Sequence, residues 1–200
     1  MYDWRRMNEE ERKETLARRK ACFRPWHSPP HRVSSVSDGY LLTAACYEHR
    51  PHIGASAERL AAFEQELLET LEAVSTAIQC WVVLPNHYHT LIRTADVLAA
   101  LKALGRLHGR TSHAWNKEDN TRGRHVWHSA AETAMKSDRH WHATINYIHH
   151  NPVKHRYVPR WQDWPFSSAA AFLQQTGREE AEALWKEYPI GEYGRGWDDW

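Results

Sequence analysis

Long apolar runs are missing from this 200-residue sequence. No stretch approaches the roughly 20 residues needed to cross a bilayer, and residues 1–20 are charged where a secretory leader would be apolar. A soluble, cytoplasmic protein with no membrane partner is therefore expected. Cysteine is scarce as well. Cys22, Cys46 and Cys80 are odd in number and form no CxxC pair, which argues against a disulfide framework or a thiolate metal site and leaves reduced, structural thiols. Charge of one sign is lacking too: the formal net charge is +1, so any nucleic-acid surface must be local rather than a property of the whole chain. Internal repeats and low-complexity segments are absent.

What the chain has in plenty is ring-bearing side chains, with 15 histidines and 11 tryptophans, and its 42% hydrophobic content suffices for one well-filled core. Aromatic rings beside basic groups suit unstacked bases and a phosphate backbone. One basic stretch is available between Lys102 and His125, where Lys102, Arg106, Arg110, Lys117, Arg122 and Arg124 meet only Glu118 and Asp119. On charge alone a solvated helix face and loop explains it equally well.

The pattern of the chain divides it into a polar, helical start at 1–20, an irregular proline- and serine-bearing lead-in at 23–38, and a core from Gly39. Tyr40 to Tyr47 reads as a strand. Ser56 caps a helix in which Leu60, Phe63, Leu67, Leu71 and Val74 recur at three and four. Ile78–Leu84 and His87–Thr94 read as a hairpin bent at Pro85-Asn86. A second amphipathic helix runs from Asp96 to about Asn116, a strand is expected within His125–Met135, and Ser137 caps a helix over Asp138–Asn151 that Pro152 ends. This order is α+β, with a mainly antiparallel sheet and helices packed on a face.

Two segments carry chemistry. His87 and His89 are two apart on a strand, so both imidazoles point to one face and can share a metal. In a chain with this many histidines a lone His-x-His is a weak signal, and surface or core histidine is its ordinary explanation. Tyr147 and Asn151 are four apart on the last helix and share its face. Taken alone, this segment reads better as structural, with Tyr147 a core aromatic beside Trp141, Ile145 and Ile148 and Asn151 ending the helix before a proline. Together the two segments supply a nucleophile and an N, N, O ligand set of the kind that polarises a phosphodiester.

Trp81-Val82-Val83-Leu84-Pro85-Asn86-His87-Tyr88-His89 and Asn146-Tyr147-Ile148-His149-His150-Asn151-Pro152-Val153-Lys154-His155 resemble the paired motifs of REP-associated tyrosine transposases, within the HUH single-strand nuclease superfamily. The likeness extends to Leu107–Ser112, Trp164–Ser168 and Tyr188–Asp198. It departs at Arg156, where the family pattern has glycine, and at Ser129–Thr133, where aromatic or cysteine residues and an aspartate are usual.

The resemblance implies a ferredoxin-like HUH fold with the tyrosine helix beside the sheet. It divides the chain into an N-terminal extension at 1–38, a catalytic domain at 39–175 and a C-terminal extension at 176–200. His87, His89 and Asn151 would bind a divalent metal, Mg²⁺ or Mn²⁺, and Tyr147 would attack single-stranded or hairpin DNA to leave a 5′-phosphotyrosine and a free 3′-hydroxyl. A free tyrosine has a pKa of about 10 and needs help to lose its proton. His149 and His150 do not lie one turn from Tyr147, whereas His140 does fall near its face and is an accessory candidate. Arg106, Arg110, Arg122 and Arg124 are the phosphate-contact candidates, and the protein is expected as a monomer or homodimer. Two rival readings stand beside this one: a binder of repeat hairpins that does not cut, and a metal hydrolase using water.

Overall fold

Apolar residues occupy both parities of the first strand, which is the mark of a strand buried on both faces. In the computed structural model, which describes residues 38–194 together with Asn8 and Glu10, this strand is β1 (Gly39–Ala45). Tyr40, Leu42 and Ala44 enter one core and Leu41 the other. The hairpin expected at Pro85-Asn86 is β2 (Ala77–Val83) and β3 (His87–Arg93), and β4 (Ala131–Ala134) completes a four-stranded antiparallel sheet in the order β2-β3-β1-β4. The helix and lead-in expected over 1–38 lie almost wholly outside the described residues.

Helix α1 (Ala57–Glu72) starts where Ser56 Oγ accepts from Arg59 N at 3.1 Å, and α2 (Val97–Glu118) where Asp96 Oδ1 accepts from Ala99 N at 2.9 Å. Leu60, Phe63, Leu67 and Leu71 of α1 and Val97, Leu104 and Leu107 of α2 are buried against Tyr40, Leu42, Tyr88 and Ile92 of the sheet. Each such side chain contributes on the order of 1.5–3 kcal/mol. Helix α3 (Asp138–Lys154), capped by Ser137, packs on the opposite face, where Tyr147 and Ile148 meet Leu41, Val82 and Leu91. The helices thus pack on the sheet as expected and cover both of its faces. The order β1-α1-β2-β3-α2-β4 with this strand arrangement is ferredoxin-like. Two short helices, α4 (Ala169–Thr176) and α5 (Arg178–Glu187), follow α3.

Two boundaries differ from the sequence expectation. Helix α3 runs through Pro152 to Lys154. Only the donor of Pro152 itself is lost to the helix, because the next donors are satisfied: His155 N reaches Asn151 O at 3.1 Å and Arg156 N reaches Val153 O at 3.0 Å. The strand expected within His125–Met135 shrinks to β4, since 125–128 joins β1 only by backbone hydrogen bonds around a Cys46–Trp127 bridge. Cys46 and Cys80 are buried free thiols, and burial pushes the Cys46 thiol up to about 12. Among the described residues, no helix is long and apolar enough to cross a membrane.

Candidate active site

The bend before β3 fixes where the two histidines start. Leu84 N donates to His87 O at 2.8 Å, Cys46 N to Asn86 O at 2.7 Å and Gly54 N to Pro85 O at 2.9 Å. Gly54 has no substitute here, since a Cβ would overlap Pro85. From this anchor the strand period of two sends His87, His89 and Leu91 toward α3, and Tyr88 and Ile92 toward α1 and α2. The two imidazole centroids are 5.1 Å apart, and both rings are buried.

Helix α3 meets them in matching steps. Two strand residues advance about 7 Å and four helix residues about 6 Å, so Tyr147 lies opposite His89 and Asn151 opposite His87. His87 Nε2 is 3.0 Å from Asn151 Oδ1, and the Tyr147 hydroxyl is 3.4 Å from His89 Nε2. Each ring is oriented from behind. Thr43, directly across from His89 on β1, places Oγ1 2.8 Å from His89 Nδ1, and Asn86 Oδ1 lies 2.7 Å from His87 Nδ1.

The Asn86 contact decides the tautomer of His87. Asn86 Nδ2 donates to His49 O at 3.1 Å, so its Oδ1 faces the ring and His87 Nδ1 must donate to it. In the neutral ring Nε2 then offers a lone pair to Asn151 Oδ1, itself an acceptor. Two acceptors brought together in this way fit a shared cation, and a histidine whose other nitrogen donates to a fixed oxygen is the usual form of a metal ligand. Among the described residues no set of three or more His, Cys, Asp and Glu is placed to hold a metal, so a cation here would depend on the Asn151 amide.

Several neighbours escaped the sequence reading. The His155 ring stands edge-on to His87 at 4.9 Å, and the Lys154 ammonium lies 5.7 Å from the Tyr147 ring centroid while donating to Gly194 O at 3.4 Å. Tyr193 packs on Tyr147 at 5.5 Å. Gly194, at φ 73°, lies so close to the Tyr147 ring that a Cβ would overlap it. Tyr147 is consequently 2% exposed, and part of the 176–200 extension covers the proposed nucleophile. Lys154 and His155 sit inside the Asn146–His155 motif, and Tyr193 and Gly194 inside the Tyr188–Asp198 segment of the family likeness, but the contact of the latter pair with Tyr147 spans more than forty residues and follows no local period. His140 meets Tyr193 rather than Tyr147: its Nε2 is 3.3 Å from the Tyr193 hydroxyl, and its Nδ1 accepts from Lys136 N. Burial, then Lys136, lowers the His140 pKa, while burial pushes that of Tyr193 up to about 12.

The four arginines fall into two groups. Arg106 and Arg122 are exposed, and exposed Arg110 makes a 3.5 Å contact with Glu66. Arg124 is engaged inside the fold, donating to Asp119 at 2.7 Å and Asn116 at 3.0 Å. Asp119 also takes Arg59, which holds its carboxyl well below the usual carboxylate range. This pairing makes Arg124 a brace between α2 and the following loop.

No family model matches the chain. In sequence it is similar to the REP-associated tyrosine transposase of Escherichia coli (strain K12), at 30% identity over 92 residues, which are 46% of this chain and 53% of that protein. The matched segment thus spans about half the length of this curated relative. In structure it is similar to a REP-associated tyrosine transposase solved bound to a REP hairpin, with a TM-score of 0.55 at 17% identity over 74% of this chain and 87% of that one. The resemblance drawn from the motifs is upheld in sequence, and the α+β fold is shared.

Proposed function

We propose that this chain belongs with the REP-associated tyrosine transposases and cleaves and rejoins single-stranded DNA at repeat-derived hairpins, through Tyr147. The observation that carries the reading is the pairing of strand and helix, with His87 facing Asn151 at 3.0 Å and His89 facing Tyr147 at 3.4 Å. The relatives support the substrate class, since one of them was solved with a hairpin.

His87, His89 and Asn151 would hold a divalent cation, Mg²⁺ or Mn²⁺, which when bound supplies charge neutralisation at the scissile phosphate. Asn86 and Thr43 keep both rings in register with it. The Tyr147 oxygen attacks phosphorus, forming the tyrosyl ester as the bond to the 3′ oxygen breaks; the phenol proton is lost and the departing oxygen gains one. The cationic Lys154 beside Tyr147 favours both the phenolate and the approaching phosphate. The ester conserves the energy of the broken bond, so a 3′-hydroxyl can reverse the step.

The burial of Tyr147 favours a second reading, a hairpin binder that does not cut. One experiment separates the two. Incubation with Mn²⁺ and a labelled pool of single-stranded hairpins is expected to give a protein–DNA adduct on a denaturing gel, absent in Tyr147→Phe. Binding without an adduct would establish the second reading, and an adduct that survives Tyr147→Phe would remove Tyr147 from its role. Hydrolysis to free ends with no adduct would favour water as the nucleophile.

A further inference from the structure

At the end of the sheet that carries His87, the chain displays aromatic rings that the mechanism does not use. Tyr47, the second residue past β1, is 36% exposed. Its ring stacks on exposed His125 at 4.5 Å and 20° between planes, and His128 lies 5.1 Å away. Glu48 and His49 next to it adopt positive φ of 54° and 51° without being glycine, a conformation that costs about 1–2 kcal/mol per residue. The turn that presents Tyr47 to His125 is held in spite of that cost.

This cluster is tied to the site through one side chain. Tyr47 N donates to Val126 O at 2.7 Å, which fixes the ring pair together. Cys46 N donates to Asn86 O, and Asn86 Nδ2 to His49 O. The same Asn86 orients His87. The Tyr47 segment is therefore fixed, through Asn86, to the end of β3 at which His87 stands. A half-exposed ring pair suits a flat base; Arg50, three residues past Tyr47, is exposed and ion-paired with Glu48 at 3.2 Å, and exposed Arg122 precedes His125 by three residues.

We infer that Tyr47 and His125, backed by His128, form a stacking subsite for an unpaired DNA base adjoining the scissile phosphate. The inference rests on the function proposed above and adds to it where the single-stranded flank of the hairpin runs. Sequence tolerance is expected at this base, because every base offers a π-face.

The test uses the full chain carrying Tyr147→Phe, so that binding is read without cleavage, by fluorescence anisotropy. The probes are hairpins with randomised single-stranded flanks and the same stems without flanks. Tyr47→Ala and His125→Ala should each weaken the flanked hairpins by roughly tenfold, the range expected for losing one base–aromatic stack, and leave the unflanked stem unchanged. Tyr47→Trp should retain affinity. An abasic nucleotide at one flank position should reproduce the loss in the parent and add nothing in Tyr47→Ala. Unchanged affinity in both alanine variants, or equal loss on flanked and unflanked stems, would overturn the subsite while leaving the functional reading intact. A parent that binds neither probe would overturn both.

Discussion

Arg156 has φ 60°, a left-handed conformation suited to glycine, and it occupies the first position past the cap of α3. Arg156 N donates to Val153 O and Tyr157 N to Pro152 O at 2.9 Å, the paired bonds that close a helix in a Schellman turn. The family pattern has glycine here for a backbone reason, and arginine endures the strain. Arg156→Gly should stabilise the fold by about 1 kcal/mol, seen as a higher urea midpoint with unchanged slope; a lower midpoint would mean that the arginine side chain more than offsets its backbone. On the function proposed above, Asn86 would act on chemistry instead, through its 2.7 Å contact with His87. Asn86→Ala should lower adduct formation about 10- to 100-fold at limiting Mn²⁺, the usual range for losing the partner that orients a metal-bound histidine, with recovery as Mn²⁺ rises. A loss that extra metal does not repair would place Asn86 outside metal binding.

At the scale of elements, the site is a strand laid against a helix. Both halves were legible in the sequence because each obeys a local period: two for His87 and His89, four for Tyr147 and Asn151. The caps at Ser56 and Ser137 were legible for the same reason, as local hydrogen bonds. The face on which α3 packs was not, since β1 at the centre of the sheet is apolar on both parities and gives no polarity to read. Nor was the cover over Tyr147, where Gly194 meets the ring through chain folding alone. That cover invites a prediction. Gly194→Val cannot keep its present place against Tyr147, so the segment from Ile190 to Gly194 should lift. Adduct formation should then be several-fold faster than in the parent, measured as an initial rate on one hairpin. A slower rate would mean that the segment helps to position the phenol.

For the molecule as a whole, two buried histidines should weaken the fold in acid. Burial lowers the pKa of both His108 and His149 to about 3, against about 6.5 in an unfolded chain. His108 stacks on Trp127 at 4.3 Å with its Nε2 3.1 Å from the Tyr88 hydroxyl, and His149 Nε2 lies 3.0 Å from Ser168 Oγ. The unfolded state takes up protons that the folded state refuses, so their stabilising contribution is complete above about pH 6.5 and is lost as pH falls toward 3. Each group adds up to about 1.4 kcal/mol per pH unit in that window. Urea midpoints should fall steeply through it, and less steeply in His108→Gln. An equally steep fall in that variant would assign the acid response to carboxylates.

The covered tyrosine has a consequence for how the protein would be titrated. On the function proposed above, a substrate that needs the phenol would wait for molecules whose Tyr193–Gly194 segment has moved aside, so the rate of chemistry would be scaled by the open fraction. A stem held on the outer surface carries no such penalty. On that function, cutting would then saturate together with occupancy while its maximal rate falls by the open fraction, so that DNA is held for long periods before it is broken.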